Sequence, residues 1–170
     1  MEYRDLYDEN KRRTGERIAA GDPIPQGRRI LCAGCWVIDR SGQIFLTRRS
    51  PEKRFMPDKW ENTGGHAIAG EDGKDAALRE LFEETGIRAE RSDLVLLGER
   101  TGDRCFTEDY AVIKSFPLTD VVLQQGETCD AAWVSEARWE EMLRSGEIAP
   151  SVNENLQPFK QKLLDLLHSL

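Results

Sequence analysis

The sequence has no long hydrophobic run, and this absence limits the kinds of protein that it can encode. No segment approaches the roughly 18 consecutive apolar residues that a membrane-spanning helix requires, and residues 1–17 carry mixed charges where a signal peptide would be apolar. Basic residues are also in deficit, with 24 Lys and Arg against 31 Asp and Glu, for a net charge of −7. We therefore expect a cytoplasmic protein with no membrane partner and no nucleic-acid partner.

Cysteine and histidine are too scarce to suggest much thiol or imidazole chemistry. The chain has four Cys and two His. Cys32 and Cys35 form a C-x-x-C pair, but they lie in the apolar run RILCAGCWVID, which predicts a buried strand where a zinc site needs a tight turn. Because a second pair of ligands is missing, we expect reduced thiols in the protein interior.

The hydrophobic pattern of this 170-residue chain predicts a mixed α/β fold in one domain. Turn residues and alternating apolar residues divide the chain into short segments. The predicted elements are a strand pair within 6–20, a hairpin of strands at 29–38 and 43–49, a helix from about 74 to 85 ended by Gly86, strands at 93–101, 105–117 and 128–135, a helix at 136–145, and a C-terminal helix at 155–170.

The central helix concentrates acidic residues along one edge. At about 100° per residue, the side chains of Glu80, Glu83 and Glu84 fall within an arc of about 100°, and the apolar side chains, including Phe82, lie on the opposite side. A solvated amphipathic helix is the ordinary interpretation of such an edge. A glycine-rich loop with Glu71 precedes the helix, however, and clustered carboxylates are the ligands that Mg²⁺ prefers. The pattern thus favours a metal site.

Residues 65–87 resemble the box of the Nudix hydrolases. The box consists of Gly65, five residues, Glu71, seven residues and the segment RELFEETGI from Arg79 to Ile87, and every fixed position matches. The resemblance implies an α/β/α sandwich, with a mixed sheet between helices. It also implies hydrolysis of a diphosphate that joins a nucleoside to another group, X, with Mg²⁺ as cofactor or Mn²⁺ in its place.

The same resemblance assigns roles to individual residues. It implies that Arg79 holds Glu83 or a neighbouring residue in place, and that Glu83 or Glu80 takes a proton from the attacking water. Glutamates outside the box are alternative bases. The implied metal ligands are Glu80, Glu83, Glu84, the Gly65 carbonyl and, in a supporting role, Glu71; the alternative bases are Glu61, Glu99, Glu108 and Glu127.

A second resemblance covers the first half of the chain. The segments LYDENKRRTGE (6–16), GQIFLTRRSPEK (42–53) and FMPDKWENT (55–63) are similar to those of isopentenyl-diphosphate isomerases, which share the Nudix fold. By this likeness Arg49 and Lys53 bind the diphosphate, although a solvated loop is an equal alternative. The isomerase needs a Cys after its WxNT segment, and this chain has Gly64 and Gly65 there. Hydrolysis is therefore favoured over isomerisation, and the intact box also argues against a Nudix-fold module that binds without turnover.

Several further expectations complete the prediction. The domain covers 1–170, with the box at 65–87, a strand extension at about 1–28 and helices at about 136–170. The substrate is a small diphosphate, and the leucine-rich C-terminal helix is compatible with a homodimer. His66 is placed to reach a phosphate or to serve only as a loop residue. Four aromatic residues are candidates for stacking on X, although core packing is the commoner role: Trp36, Trp60, Phe106 and Tyr110.

Overall fold

An N-terminal hairpin precedes a central sheet in the computed structural model, which describes residues 1–170. The strands are β1 (Tyr3–Tyr7), β2 (Arg13–Ala19), β3 (Ile30–Ile38), β4 (Gln43–Arg49), β5 (Trp60–Glu61), β6 (Thr63–His66), β7 (Val95–Thr101), β8 (Cys105–Ile113) and β9 (Thr128–Ser135). The helices are α1 (Gly73–Thr85), α2 (Glu136–Ser145), α3 (Pro150–Leu156) and α4 (Lys160–His168).

The central sheet is mixed and has β3 at its middle. Its strand order is β5-β4-β3-β8-β7, with β6 also paired to β3 and β9 paired to β4. Strand β3 runs parallel to β8 along its whole length, from Ile30 opposite Cys105 to Ile38 opposite Ile113. All its other pairings are antiparallel. This arrangement confirms the expected mixed sheet.

The hairpin of β3 and β4 opens like a wedge. These strands pair at only two positions, Val37 with Phe45 and Ile38 with Ile44. Beyond them β5 pairs with β4 and β6 pairs with β3, so residues 60–66 fill the gap. Gly64 fits there because a Cβ at this position would lie 2.6 Å from the Ala33 carbonyl oxygen. The wedge thus carries the first glycines of the box into the sheet.

The two faces of the sheet support separate apolar cores. Ala33, Cys35 and Val37 belong to the core beneath α1, whereas Trp36 and Ile38 belong to the core beneath α2, α3 and α4. Alternate residues of a strand point to opposite faces. The layers are therefore helix, sheet and helices, as the sequence predicts, and no helix is both long and apolar enough to cross a membrane.

Helix α1 has clear start and stop signals. The Asp72 side chain caps its first turn by accepting a hydrogen bond from the Asp75 N–H at 3.0 Å. Gly86 ends it in the left-handed conformation, with φ of 73°, and donates its N–H to the Phe82 carbonyl. Glycine adopts this conformation without the steric cost of a Cβ. The predicted helix and its end at Gly86 are confirmed.

Three details of the sequence prediction are wrong. Strand β8 ends at Ile113, because the chain leaves the sheet before the Phe116-Pro117 pair. The single C-terminal helix is instead α3 and α4, separated by a 3₁₀ turn that contains Pro158, which has no N–H to continue an α-helix. Phe82, placed on the core side, is 40% exposed and is covered by the Arg88 guanidinium 3.9 Å from its ring centre.

Candidate functional site

The last two turns of α1 present three carboxylates to the edge of β6. Glu83 is the most exposed of the three, while Glu80 is largely covered and Glu84 is only 8% exposed. The Oε2 atom of Glu84 is buried and has no hydrogen-bond partner. A buried carboxylate oxygen without a partner is costly, so this atom marks a place where a cation or a donor would be favourable.

Arg79 ties the acidic residues of the box together. Its guanidinium donates to Glu80 Oε1 and Glu83 Oε2, each at 2.9 Å. It also donates to Glu71 Oε1 at 2.9 Å and to the His66 carbonyl oxygen at 2.9 Å. The predicted contact between Arg79 and Glu83 is present, and Arg79 holds the loop and two of the helix carboxylates in one network.

Glu71 is bound through both of its oxygens. Its Oε2 accepts from the Ile68 N–H at 3.0 Å and from Arg79 at 3.2 Å, and its Oε1 accepts from Arg79 as well. These contacts fix the glycine-rich loop against α1. A supporting role for Glu71, as the sequence suggests, agrees with this geometry better than direct ligation does.

Burial and mutual repulsion make the site attractive to a cation. Burial raises the pKa of Glu84 well above its ordinary value, and the negative charges of Glu61 and Glu80 add to the effect. Burial also raises the pKa of Glu80, although the Arg79 charge opposes the shift. Both shifts record a free-energy cost of ionising these carboxylates that a bound cation would remove.

The backbone of Gly65 lies directly against the Glu80 carboxylate. A Cβ built at Gly65 would overlap with the Glu80 carboxylate oxygens, so only glycine lets the backbone approach this closely. No three acidic, His or Cys side chains converge on one point as a complete metal cage, because Arg79 engages part of the set. The oxygen-rich donors and the unpartnered atom of Glu84 still fit a hard divalent cation.

The opposite wall of the site is basic. Arg49 Nη1 donates to both carboxylate oxygens of Glu61, at 2.8 and 2.9 Å, and Lys53 forms an ion pair with Glu127. Arg49, Lys53 and Glu127 share one cavity of about 370 Å³ with the box glutamates, here called the acidic cavity. The structure thus brings Arg49 and Lys53 together with the predicted metal ligands.

Sequence reasoning missed the contribution of the N-terminal segment to this cavity. Glu2 and Arg4 also line it, as does Gln124. Desolvation and the Arg4 charge lower the pKa of His66, which lies beside Gly65. The N-terminal segment was recognisable only as a strand pair, and nothing in its pattern indicates which wall of the fold it covers.

The structure divides the glutamates outside the box into two groups. Glu61 and Glu127 belong to the site through their ion pairs with Arg49 and Lys53. Glu99 and Glu108 both bind Lys11 and line neither cavity of the site. Only the first two glutamates therefore join Glu80 and Glu83 as acceptors placed near the acidic cavity.

A second cavity lies on the other side of β6. It has a volume of about 440 Å³, and Gly64, Gly65 and His66 line both it and the acidic cavity. We call it the polar cavity, because only four of its 16 lining residues are hydrophobic. Sequence reasoning did not find it, since its walls come from β3, β5, β6, β7, β8 and α3.

The predicted stacking residues lie outside both cavities. Trp36 is 1% exposed and packs edge-on against Trp139, and Phe106 and Tyr110 are buried in the core beneath α1. Trp60 packs against the other core. Core packing, the commoner role for such residues, thus describes all four.

The cysteines lie in different parts of the fold. Cys32 and Cys35 point to opposite faces of β3, because they are three residues apart on a strand, so they do not form a metal-binding pair. Cys32 lies at the polar cavity with Cys105 of β8, and all four cysteines are free thiols. The structure therefore contains no disulfide, and it places Cys105 beside the site.

Comparison of the sequence with known proteins identifies relatives of this chain. A model of the NUDIX domain matches residues 28–162. The chain is 30% identical over 151 residues to an uncharacterized Nudix hydrolase of Listeria monocytogenes, covering 88% of this chain and 89% of that one. It is 38% identical over 92 residues to an isopentenyl-diphosphate Delta-isomerase of Paenarthrobacter aurescens, covering 54% and 50% of the two chains.

The fold also matches a solved structure. A crystal structure of a Deinococcus radiodurans protein superimposes with a TM-score of 0.71, covering 87% of this chain and 92% of the other at 22% identity. At this identity the likeness concerns the fold alone. It supports the sandwich of helices around a mixed sheet that the strand pairing shows.

Proposed function

The chain belongs to the Nudix hydrolase family, and from this premise we propose that it cleaves the diphosphate bond between a nucleoside and another group X with Mg²⁺ as cofactor. Mn²⁺ is the alternative cation. The observation that carries the proposal is the buried, unpartnered oxygen of Glu84 beside Glu80. A divalent cation at this position would compensate both carboxylates.

The proposed ligands are Glu80, Glu83, Glu84 and the Gly65 carbonyl. When bound, the cation supplies a water of lowered pKa and charge compensation for the phosphoryl oxygens. Arg79 orients Glu80 and Glu83 toward their shared edge, through its hydrogen bonds of 2.9 Å to each. Glu71 supports this arrangement from the loop by holding Arg79.

The basic wall binds the substrate phosphates in this proposal. Arg49 is paired to Glu61, and Lys53 is paired to Glu127 of the same cavity. Arginine guanidinium groups match phosphate oxygens as well as they match carboxylates. When substrate binds, Arg49 and Lys53 would exchange their carboxylate partners for phosphate oxygens. This exchange would orient the diphosphate between the basic wall and α1.

Glu83 is the proposed proton acceptor, with Glu80 as the alternative. Arg79 binds only the Oε2 atom of Glu83, which leaves Oε1 available, and Glu83 is the most accessible of the three helix carboxylates. An acceptor must lie within hydrogen-bond reach of the attacking water. Glu80, by contrast, is enclosed between Arg79 and Gly65.

The test is release of phosphate or nucleotide from a substrate panel, with and without Mg²⁺. The panel contains nucleoside diphosphate sugars, ADP-ribose, dinucleoside polyphosphates, nucleoside triphosphates, coenzyme A and isopentenyl diphosphate. We expect Mg²⁺-dependent hydrolysis of at least one member, and a loss of at least about 100-fold in Glu84→Gln. Glu154→Gln, the same change at an exposed position of α3, should retain full activity.

Other outcomes would replace this proposal. Isomerisation of isopentenyl diphosphate without hydrolysis of any compound would indicate the isomerase alternative, and attention would move to Cys105 in the polar cavity. Binding of a panel member without turnover would indicate a binding module. Equal activity of Glu84→Gln and the wild type would show that the metal ligands are misassigned.

A further inference from the structure

The polar cavity contains hydrogen-bonding groups that the protein itself leaves unsatisfied. The Nε atom of Arg100, the Oδ2 atom of Asp109 and the Oδ1 atom of Asn155 are buried and have no hydrogen-bond partner, and all three residues line the cavity. Each such group costs about 1–3 kcal/mol when unpaired. Three in one cavity mark a place where a ligand that supplies hydrogen-bond partners would be favourable.

Asp109 is the most enclosed of these groups. It is 5% exposed and sits on β8, on the sheet face opposite α1. A Cβ at Gly34 would lie 2.8 Å from the Asn62 amide nitrogen and close to the Asp109 carboxylate. The absence of a side chain at Gly34 therefore leaves room for these polar groups above β3, which keeps the floor of the cavity polar.

The buried polar groups of the cavity disfavour two kinds of ligand. An apolar prenyl chain would leave the groups of Arg100, Asp109 and Asn155 unpaired in a drier environment, which is unfavourable. A nucleobase normally stacks on an aromatic side chain, and the cavity is lined by no Phe, Tyr or Trp. Its volume of about 440 Å³ nevertheless lies in the range of small-ligand pockets.

A hydroxylated group meets the requirements that remain. A hydroxyl both donates and accepts, so adjacent hydroxyls can donate to Asp109 and Asn155 while accepting from Arg100. The opposite charges of Arg100 and Asp109 balance each other, and Glu61 on the same wall is already paired with Arg49. The cavity is therefore suited to a neutral polyol and not to a further phosphate.

The position of the cavity connects it to the proposed hydrolytic site. Gly64, Gly65 and His66 line both cavities, and neither glycine has a side chain to separate them. A diphosphate bound between Arg49 and α1 would therefore lie next to the entrance of the polar cavity.

We propose that the polar cavity binds a sugar or polyol as group X, through Arg100, Asp109 and Asn155. This inference rests on the proposed hydrolysis, because it names the part of the substrate that the acidic cavity does not hold. The substrate class that it assigns is a nucleoside diphosphate sugar, with the hydroxyls of the sugar in the polar cavity.

The test compares Asn155→Leu with Asn153→Leu. Both substitutions remove an amide from α3, but Asn153 does not line the cavity and accepts a hydrogen bond from Gln157. For UDP-glucose we expect Asn155→Leu to raise KM by about tenfold or more, because the site was built to hydrogen-bond hydroxyls, with little change in kcat. For UTP, which has no sugar beyond its phosphates, KM should stay within about twofold.

Arg100→Met provides a second variant on a different element, strand β7, and melting temperatures show whether each variant is folded. Arg100→Met should raise KM for UDP-glucose, and not for UTP, as Asn155→Leu does. An equal rise for UTP would place the nucleoside in the cavity and overturn the proposal. Unchanged KM for UDP-glucose in both variants, or faster hydrolysis of a prenyl diphosphate by the wild type, would also overturn it.

Binding measured by calorimetry in EDTA separates this inference from the proposed function. We expect the wild type to bind UDP-glucose more tightly than UDP, and Asn155→Leu to lose the difference. If the wild type hydrolyses nothing but shows this difference in binding, the proposed sugar site in the polar cavity is supported and the proposed hydrolysis is wrong. If hydrolysis is Mg²⁺-dependent and UDP-glucose binds no better than UDP, the hydrolysis stands and the cavity inference fails.

Discussion

At the scale of single residues, Arg79 determines how the acidic groups are arranged before any cation binds. Three carboxylates and the His66 carbonyl accept hydrogen bonds from one guanidinium. A planar group with five donors can satisfy several acceptors at fixed angles, whereas a lysine ammonium acts as a compact point charge. Arg79 therefore positions the proposed ligands and does not need to touch the substrate.

The first prediction concerns Arg79→Lys. The variant keeps the charge but loses the geometry, so we expect activity to fall by about 10- to 100-fold, as for other residues that orient metal ligands. Hydrolysis rates measured against Mg²⁺ concentration should show a higher half-saturating concentration. Full activity at the wild-type Mg²⁺ requirement would contradict the positioning role, and Arg138→Lys on the surface of α2 is the matched control.

The second prediction concerns Asp109 and the pH dependence of stability. Burial raises the pKa of Asp109 to about 6, although Trp36 and Arg100 oppose the shift. Below the ordinary pKa of 3.8, Asp109 is protonated in both the folded and the unfolded state, so its ionisation does not affect the free energy of unfolding. As pH rises, the unfolded chain loses this proton first, and the folded state is penalised up to and beyond pH about 6.

We therefore expect Asp109→Asn to gain stability over the wild type as pH rises from about 4 to about 7. The pKa shift corresponds to a gain of about 3 kcal/mol, from about 1.4 kcal/mol for each pKa unit. Urea unfolding at both ends of this pH range measures the difference. A difference between variant and wild type that is the same at both pH values would contradict the assignment of the shift to Asp109.

Residue-scale roles were predictable from sequence only where they follow a short motif. Arg79, Glu80, Glu83 and Glu84 lie within two turns of one helix, so the spacing of 3.6 residues per turn predicts their common edge. Arg100, Asp109 and Asn155 meet only after β7, β8 and α3 have packed. No local pattern in the sequence encodes that meeting, which depends on long-range contacts.

At the scale of elements, the wedge between β3 and β4 is what builds the site. The sequence predicts both strands and their hairpin, and the structure confirms them. The short length of their pairing, and the insertion of β5 and β6, could not be predicted, because segments of two and four residues carry no periodicity. The break at Pro158 was readable in principle, since proline interrupts helices.

The third prediction tests the close approach of β6 to Glu80 through the substitution Gly65→Ala. The added methyl group would overlap with the Glu80 carboxylate, which is the end of a flexible side chain and can move aside. We expect stability to change little, because the three atoms nearest to the methyl group all belong to the end of this one side chain, while hydrolysis falls by at least about tenfold as Glu80 leaves its position.

Melting temperature and turnover, measured on the same samples, separate these two effects. Gly102→Ala is the control, because its Cβ would meet only the Cys105 carbonyl, at 3.3 Å, and the Cys105 thiol, at 3.7 Å, away from α1. Unimpaired hydrolysis by Gly65→Ala would show that the close approach of β6 to Glu80 has no part in activity.

At the scale of the whole molecule, the acidic site is a local excess of negative charge in a chain of net charge −7. Burial of Glu80 and Glu84 opposes folding to the extent that they must ionise, which is the physical meaning of their raised pKa values. A cation that binds only the folded state would reverse this cost and stabilise the protein by mass action.

The last prediction is therefore that Mg²⁺ raises the melting temperature. At a concentration about 100 times its dissociation constant, Mg²⁺ should add about 2.7 kcal/mol, which corresponds to roughly 5–10 °C for a chain of this size. Glu84→Gln should melt above the wild type in EDTA, because the unpaired buried carboxylate is gone, and should lose most of the Mg²⁺ increment. NaCl at equal ionic strength controls for screening. An Mg²⁺ increment of equal size in Glu84→Gln would place the cation elsewhere, since a site on this edge of α1 depends on the one buried carboxylate oxygen there that the protein leaves without a partner.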